Sequence, residues 1–349
     1  MNLKAIKEEI LKSKRIGLSF HASPDGDAIG SILSLLNALR YLGKDSYIIS
    51  RDVISDNFSF LSLSNEIDGD TPEPKMNTDL VIVLDCGNAD RISADLSNYN
   101  GKIINIDHHI SNENYGFINY VDVNAAATCE ISYLLIKELG IDFSNKTDIE
   151  IAIGSAVYTG IVTDTGSFRH SNVTSRTHEI ASKLIELGVD NSKVHTSLFD
   201  NKPFNKVKLM GSVLSNIELV LNNKVAVLQI PQGMLENFNL VNTDTSDIIS
   251  VGLGIKGVEV SMLLKEVKDG VKGSLRSKNN VDVRRVAEVY GGGGHIKAAG
   301  VMMKDMNIME AKEKLLNILK EELGIWKNFR YEEGNWNFAY EKRNTIFNN

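Results

Sequence analysis

Residues 15–50, RIGLSFHASPDGDAIGSILSLLNALRYLGKDSYIIS, decide the fold class of this chain of 349 residues. They join an apolar run at 15–20 to a helical pattern at 28–42 and a second strand-like run at 46–50. Two later runs, DLVIVLD and KIINID, are apolar without the alternation of a strand that is exposed on one face. Strands and helices that alternate in this way predict an α/β domain with a largely parallel sheet flanked by helices.

The rest of the chain extends this domain and adds a second one. Helical patterns to 187 complete an N-terminal domain at 1–190, and a helical connector follows at 191–220. Strand-like KVAVLQI opens a smaller C-terminal α/β domain at 221–324, with an active-site cleft expected between the domains. The tail at 325–349 holds both tryptophans and has no assigned role, although packing on its own domain or a partner subunit is favoured over stacking on bases.

The composition argues against several classes of protein. With 38 basic and 45 acidic residues the formal net charge is −7, which disfavours binding to long nucleic acids. The two cysteines, Cys86 and Cys129, are too few for a disulfide framework or a four-thiolate zinc site. No apolar run approaches the ~20 residues of a membrane span, so we expect a cytoplasmic protein without a membrane anchor. The oligomeric state is left open, a homodimer being one option.

Four segments place acidic residues or histidines beside apolar elements: HASPDGDAIGS at 21–31, LDCGNADR at 84–91, NIDHHISN at 105–112 and IVTDTGSF at 161–168. Three of them lie at the end of a predicted strand. Ligands of open α/β sheets bind at the carboxyl ends of the strands, so we expect the segments to converge there. Carboxylates that converge beside apolar structure are costly unless they are paired or bind cations.

This pattern predicts a centre for two divalent ions, with side-chain ligands from His21, Asp25, Asp27, Asp85, His108 and Asp164. A mixed set of oxygen and imidazole ligands suits manganese better than calcium, and we expect Mn²⁺, with Mg²⁺ or Co²⁺ as alternatives. Two ions ~3.5–4 Å apart are a known arrangement for hydrolysing phosphate esters. The structural alternatives are a helix N-cap at Asp27, a turn at 24–26, an Asp85–Arg91 ion pair, a polar loop closed by Asp164 and a solvated strand end at 108–109.

The four segments, in this order and at these spacings, resemble the four motifs of the DHH phosphoesterase family. GGGGHIKAAG at 291–300 resembles the glycine and histidine motif of the associated C-terminal domain of that family. The compact two-domain length is most similar to the oligoribonuclease and pAp-phosphatase branch, where pAp is 3′-phosphoadenosine 5′-phosphate. RecJ-type nucleases share the motifs but are usually longer.

The resemblance implies a role for each candidate residue. One ion would be held by His21, Asp25 and Asp85, and the other by Asp27, Asp85, His108 and Asp164, so that Asp85 bridges the two. Asp107 would orient the histidine pair. His109 would face the scissile phosphate and donate to it or assist the leaving group.

A second group of candidates lies in residues 271–300, which carry six basic and two acidic residues, a net charge of +4. By the same resemblance, Arg276 and His295 would bind the terminal phosphate or the sugar-phosphate backbone of the substrate. The neighbouring Ser277, Lys278, Gly292, Gly293 and Gly294 are further candidates for substrate binding. Arginine suits bidentate phosphate contacts, and backbone N–H groups of glycine loops can bind anions. The alternatives are a simple turn for the glycine run and a solvated helix face for Arg284 and Arg285.

We therefore expect a metal-dependent phosphoesterase that hydrolyses very short RNA to mononucleotides and dephosphorylates pAp. Its partners would be short RNA or small phosphorylated nucleotides. The nearest alternative is a phosphodiesterase of cyclic or linear signalling dinucleotides, followed by an inorganic pyrophosphatase. A non-catalytic nucleotide sensor is disfavoured because a sensor does not need a complete set of metal ligands.

Overall fold

The computed structural model describes residues 2–240, 243 and 245–325. Apart from residue 325, the aromatic tail singled out in the sequence lies outside the described residues. The chain forms two compact units, one up to Asn201 and the other from Lys202. Among the described residues, no helix is both long and apolar enough to span a bilayer.

The first unit contains, in chain order, α1 (Leu3–Lys12), β1 (Arg15–Ser19), α2 (Gly26–Tyr41), β2 (Asp45–Ile48), β3 (Leu80–Leu84), β4 (Lys102–Asp107), β5 (Ile118–Val121), α3 (Thr128–Glu138), α4 (Asp148–Asp164), α5 (Ser175–Leu187) and α6 (Asn191–Phe199). Its strands, within the described part of the chain, form one parallel sheet in the order β2-β1-β3-β4-β5. The parallel sheet flanked by helices that the sequence predicts is therefore confirmed.

Apolar side chains on both faces explain why these strands are central. Every residue of β3, LVIVL, is buried, as expected of a strand covered on both sides. Helix α2 is buried along nearly its whole length, which fits a sequence that is apolar on all sides. Its Gly26 lies against the side chain of Thr163 in α4, and Gly160 of α4 lies against Cys129 and Asp27. The two helices therefore pack closely beside the edge of the sheet where β1, β3 and β4 end.

The second unit contains α7 (Phe204–Ser215), β6 (Glu218–Val220), β7 (Val225–Ile230), α8 (Met234–Asn237), α9 (Ser246–Gly254), β8 (Val260–Val267), β9 (Gly270–Ser277), α10 (Val283–Glu288), β10 (Gly293–His295), β11 (Ala298–Lys304) and α11 (Ile308–Glu322). As far as the chain is described, the strands form a mixed sheet in the order β10-β11-β9-β8-β7-β6. Helices α10 and α11 share a core with Val225 and Val227. Helices α7 and α9 share another with Leu228 and Ile230, on the opposite face of β7.

The segment at 191–220, expected to be a helical connector, contains α6 and α7 followed by β6. The boundary between the units falls between the two helices, after Asn201. Val194 of α6 joins the apolar core of the first unit, whereas Leu209 and Val213 of α7 join that of the second. Helix α6 therefore belongs to the first unit and helix α7 to the second.

Candidate active site

The carboxyl ends of β1, β3 and β4 carry three of the predicted ligands. His21 lies two residues beyond β1, Asp85 directly follows β3 and His108 directly follows β4. Asp27, in the first turn of α2, and Asp164, the last residue of α4, both approach His108. The structure therefore brings the four sequence segments to one edge of the sheet.

Asp85 lies between two histidines. Its Oδ2 is 3.6 Å from Nε2 of His21, and its Oδ1 is 3.8 Å from Nε2 of His108. The residue is 2% exposed, and the hydroxyl of Thr128 donates to its Oδ1 at 3.0 Å. Its φ of 56° is a left-handed conformation that costs free energy for a non-glycine residue and that recurs at functional sites. The two oxygens of one carboxylate thus face different groups of side chains.

Asp27 is held by the start of helix α3. Its Oδ2 accepts the backbone N–H of Thr128 at 2.6 Å, and its Oδ1 accepts that of Cys129 at 2.9 Å. The N-cap residue of α3, Ala127, supplies no side-chain acceptor. The carboxylate of Asp27 therefore accepts the first backbone N–H groups of this helix in its place. Asp27 is 1% exposed, which fixes its carboxylate inside the unit.

The residue that caps α2 is Asp25, not Asp27. Oδ1 of Asp25 accepts the backbone N–H groups of Asp27 and Ala28 at 3.0 and 3.2 Å. The same oxygen lies 3.8 Å from Nε2 of His21. The structural alternative that assigned the N-cap to Asp27 is therefore wrong, and Asp25 both begins the helix and approaches the histidine.

His108 contacts three carboxylates through Nε2, since Oδ2 of Asp164 lies at 3.6 Å and Oδ2 of Asp27 at 3.8 Å, in addition to Asp85. Its Nδ1 is 3.2 Å from the carbonyl oxygen of Ala125. A carbonyl can only accept, so Nδ1 carries the proton and Nε2 presents its lone pair to the carboxylates in the neutral ring. This is the tautomer in which a histidine binds a metal through Nε2.

The electrostatics of these groups show an excess of negative charge. Burial and the carboxylate of Asp85 raise the pKa of Asp27. Burial, with Asp85 and Asp25 nearby, raises the pKa of Asp164 to about 7. The neighbouring carboxylates outweigh burial at His108 and raise its pKa to about 9. These shifts share one cause, the close packing of several carboxylates, whose negative charge bound cations would offset.

The donor atoms fit divalent metal ions. Ligand atoms lie within 4.8 Å of one another in three groups: His21, Asp25 and Asp85; Asp27, His108 and Asp164; and Asp85, His108 and His109. Carboxylate oxygens combined with imidazole nitrogens suit first-row divalent ions. Ions bound here would neutralise the carboxylates and would supply positive charge for the chemistry of a phosphate ester.

Asp107 supports the histidine pair from behind. Its Oδ1 is 2.7 Å from Nδ1 of His109 and accepts the backbone N–H of His108 at 2.8 Å. Its Oδ2 accepts from Nδ2 of Asn112 at 2.6 Å. Asp107 is fully buried, and its hydrogen bonds to His109 and Asn112 outweigh burial and lower its pKa. An ionised Asp107 accepts from Nδ1 of His109, which holds the ring in one orientation with Nδ1 protonated.

Three residues that support the site were not predicted from the sequence, namely Asn112, Thr128 and Asn172. Nδ2 of Asn172 donates to the carbonyl oxygens of Ala126 and Asp164 at 2.8 and 3.2 Å. Asn112 lies three residues beyond the histidine pair and could have been suspected from that position. Thr128 and Asn172 lie outside the motifs, and only the fold brings them to the ligands.

In the second unit, Arg276 and His295 lie in one row of the sheet. Ala298 of β11 pairs with both, with Arg276 on β9 and with His295 on β10. Directly opposed residues of antiparallel strands project from the same face, so the two side chains share a face of the sheet. Arg284 pairs with Asp282, the N-cap residue of α10, at 3.1 Å.

The other residues of the second unit predicted to bind substrate have different surroundings. Ser277 is 7% exposed, and its hydroxyl donates to the carbonyl oxygen of Val281 at 2.7 Å, so this side chain holds its own loop. Nζ of Lys278 lies 3.4 Å from the carbonyl oxygen of Ile255. A Cβ on Gly292 or Gly294 would collide with β11, whereas nothing lies within 4 Å of a Cβ on Gly293.

Two family models match this chain. The DHH family, N-terminal domain, matches residues 15–161, and the DHHA1 domain matches residues 222–324. The chain belongs to the DHH family and is a phosphoric ester hydrolase.

Similar proteins cover nearly the whole chain. The bifunctional oligoribonuclease and PAP phosphatase NrnA of Thermus thermophilus is 33% identical over 90% of this chain and 93% of its own length. NrnA of Bacillus subtilis is 32% identical over 80% of this chain and 86% of its own length. An exopolyphosphatase-related protein from Bacteroides fragilis, a solved structure, is 26% identical with a TM-score of 0.83, covering 91% of this chain and 95% of that one.

Proposed function

We propose that this protein hydrolyses very short RNA oligonucleotides to mononucleotides and removes the 3′ phosphate of pAp, with two divalent metal ions bound by its Asp and His cluster. The observation that carries the proposal is the position of Asp85, whose two oxygens face His21 and His108. The similarity to two NrnA proteins over at least 80% of the chain supports the choice of substrates.

The proposal assigns the ligands as two overlapping sets. His21, Asp25 and Asp85 would hold one ion, and Asp27, Asp85, His108 and Asp164 the other. Mn²⁺ is the preferred ion because the ligand set mixes carboxylate oxygen with imidazole nitrogen. The ions would polarise the phosphate and neutralise the charge that develops on its oxygens.

His109 is the proposed proton donor. Asp107 holds its Nδ1, so Nε2 is the atom that can donate to the oxygen of the leaving group. The Asp107 carboxylate raises the pKa of His109 against the opposing effect of burial, which keeps a larger fraction of the imidazole in its acidic form. Proton donation lowers the barrier because the leaving oxygen need not depart as an alkoxide.

The second unit would bind the nucleotide phosphate. Arg276 and His295 project from one face of the sheet, and Gly293 of the exposed strand β10 leaves open space beside its backbone. Lys278 follows Arg276 and adds positive charge. Short substrates suit these proposed phosphate contacts, because a chain with a net charge of −7 offers little general attraction to long polyanions.

A substrate panel in the presence of Mn²⁺ tests the proposal. The panel contains pAp, dinucleotides, cyclic dinucleotides and long single-stranded RNA, and release of mononucleotides and of inorganic phosphate is measured for each. A His108→Gln preparation, purified identically, reports contaminating nucleases. His195→Gln is the matched control, because the ring of His195 lies edge-on to Tyr158 and tilted against Phe199 and is given no part in the reaction.

We expect pAp and dinucleotides to be hydrolysed at least ~100-fold faster than long RNA, with loss of activity in His108→Gln only. Equal rates for long RNA and dinucleotides would contradict the proposed length preference. A preference for cyclic dinucleotides would favour the phosphodiesterase alternative. No hydrolysis of any substrate would contradict the proposal as a whole.

A further inference from the structure

A segment that none of the sequence motifs includes contacts the predicted metal ligands. It comprises residues 122–130, from the end of β5 into the first turn of α3, and is called here the capping segment. The backbone N–H of Thr128 donates to Asp27 at 2.6 Å, and its hydroxyl donates to Asp85 at 3.0 Å. A single residue of this segment thus holds two of the carboxylates.

The same segment reaches two more ligands through its carbonyl groups. The carbonyl oxygen of Ala125 lies 3.2 Å from Nδ1 of His108. The carbonyl oxygen of Ala126 accepts from Asn172 at 2.8 Å, and Asn172 also donates to the carbonyl oxygen of Asp164 at 3.2 Å. Asp27, Asp85, His108 and Asp164 are the four side chains proposed to hold the second ion. The capping segment contacts the first three directly and reaches Asp164 through Asn172, whose Nδ2 also lies 3.5 Å from Oδ2 of Asp164.

Arg176, in the first turn of α5, ties the two ends of the capping segment together. Its Nε is 2.8 Å from Oε2 of Glu130, and its Nη2 is 2.9 Å from Oδ2 of Asp122. Glu130 is fully buried, and the hydroxyl of Thr177 donates to its other oxygen at 2.6 Å. A buried carboxylate needs such partners. The guanidinium of Arg176 donates a hydrogen bond to Glu130 through Nε and forms an ion pair with Asp122 through Nη2, so one side chain contacts both carboxylates.

We propose that Arg176 is a positioning residue for the metal centre, because it fixes both ends of the segment that orients Asp27, Asp85, His108 and Asp164. The inference rests on the proposed function, since it assumes that these side chains hold an ion. His21 and Asp25 have no contact with the capping segment in the hydrogen bonds and ion pairs described above. Loss of Arg176 should therefore weaken one ion more than the other.

Arg176→Lys tests this role, with Arg40→Lys as the matched control. Lysine keeps the charge but reaches only one of the two carboxylates. Arg40 is also 35% exposed and also pairs with a carboxylate, that of Glu66, at 2.7 Å, far along α2 from the ligands. The proteins are stripped of metal and titrated with Mn²⁺, with free Mn²⁺ measured by electron paramagnetic resonance, and thermal unfolding is recorded in parallel.

We expect Arg176→Lys to weaken one of two Mn²⁺ binding steps by about tenfold or more and the other by less than about twofold, whereas Arg40→Lys changes neither. Both variants should unfold at a lower temperature than the unmodified protein. Excess Mn²⁺ should restore the activity of Arg176→Lys, since its chemistry is intact. Should Arg176→Lys fail to fold, Asp122→Asn releases one end of the segment while Glu130 keeps its partner, and the same step should weaken.

Unchanged Mn²⁺ affinity in a destabilised Arg176→Lys protein would show a purely structural role and overturn the inference alone. Equal weakening of both steps would also overturn it. Absence of Mn²⁺ binding by the unmodified protein would instead contradict the proposed function itself, so the two failures are distinguishable.

Discussion

Nδ1 of His109 lies 2.7 Å from Oδ1 of Asp107. This contact gives the carboxylate control over the orientation and the acidity of the histidine. Because the carboxylate raises the pKa of His109, Asp107→Asn should lower that pKa. We expect kcat to fall by about 10- to 100-fold and the alkaline limb of its pH profile to move to lower pH.

The pH profile of kcat for pAp checks this prediction. Asp142→Asn, a change of the same kind at an exposed acid whose carboxylate accepts from Ser144, is the control and should behave as the unmodified protein. An alkaline limb that stays in place in Asp107→Asn would rule out His109 as the acid that Asp107 tunes.

Gly160 should be required for the position of Asp27. A Cβ at this residue would collide with Sγ of Cys129 and lie 2.8 Å from Oδ1 of Asp27. Gly160→Ala should therefore cost about 1–3 kcal/mol of unfolding free energy and weaken Mn²⁺ binding. At Gly211, in helix α7, a Cβ meets nothing within 4 Å, so Gly211→Ala should stabilise by up to ~1 kcal/mol. Urea unfolding measures the unfolding free energy of both variants, and equal values would refute the steric argument.

The stability gained from metal should grow with pH. Without metal, Asp164 has a pKa of about 7 against an ordinary value of 3.8, so the folded state holds this proton more tightly and loses stability as pH rises between those values. The pKa of His108, about 9 against 6.5, continues the same loss at higher pH. Metal ions replace these protons, and their binding strengthens as the ligands deprotonate.

Thermal unfolding with Mn²⁺ and with a chelator, at about pH 5.5 and about pH 8, checks this expectation. A fixed Mn²⁺ concentration, 100 times the dissociation constant that applies at the higher pH, should stabilise by about 2.7 kcal/mol per ion there and by less at the lower pH. A metal-induced shift that is larger at the lower pH would contradict the assignment of these groups as ligands.

Gly293 offers a test of substrate binding that leaves the fold unchanged. Because a Cβ there meets nothing within 4 Å, Gly293→Ala should unfold at the same temperature as the unmodified protein. If the backbone of β10 contacts the nucleotide phosphate, the added methyl group should raise KM for pAp by about tenfold with little change in kcat. Gly211→Ala should change neither constant, and an unchanged KM in Gly293→Ala would remove β10 from the binding surface.

The local sequence pattern, apolar runs that each end at an acidic residue, was sufficient to predict the parallel sheet and the convergence of those acidic residues at one edge. The apolar strands LVIVL and KIINID each end beside an aspartate, and parallel strands end at one edge, so Asp85 and His108 had to lie close together. Local pattern was also sufficient to suggest a hydrogen-bond partner for the histidine pair at Asp107.

Partners that are distant in the sequence could not be predicted in this way. Asp27 binds the start of α3, 101 residues away, and looks like an ordinary N-cap residue until the fold is known. The contact of Arg176 with Glu130 links two helices that carry no motif. Hydrogen bonds of this kind depend on tertiary packing and leave no periodic signal in the sequence.

Mn²⁺ stoichiometry of Asp85→Asn tests the central claim most directly. Asparagine tolerates the left-handed backbone at this position, so the variant should fold, but it lacks the charge with which one carboxylate serves two ions. We predict two Mn²⁺ ions per chain in the unmodified protein and fewer than two in Asp85→Asn, counted by titration with free Mn²⁺ measured by electron paramagnetic resonance. The same number of ions, bound with the same affinity in both proteins, would contradict the account.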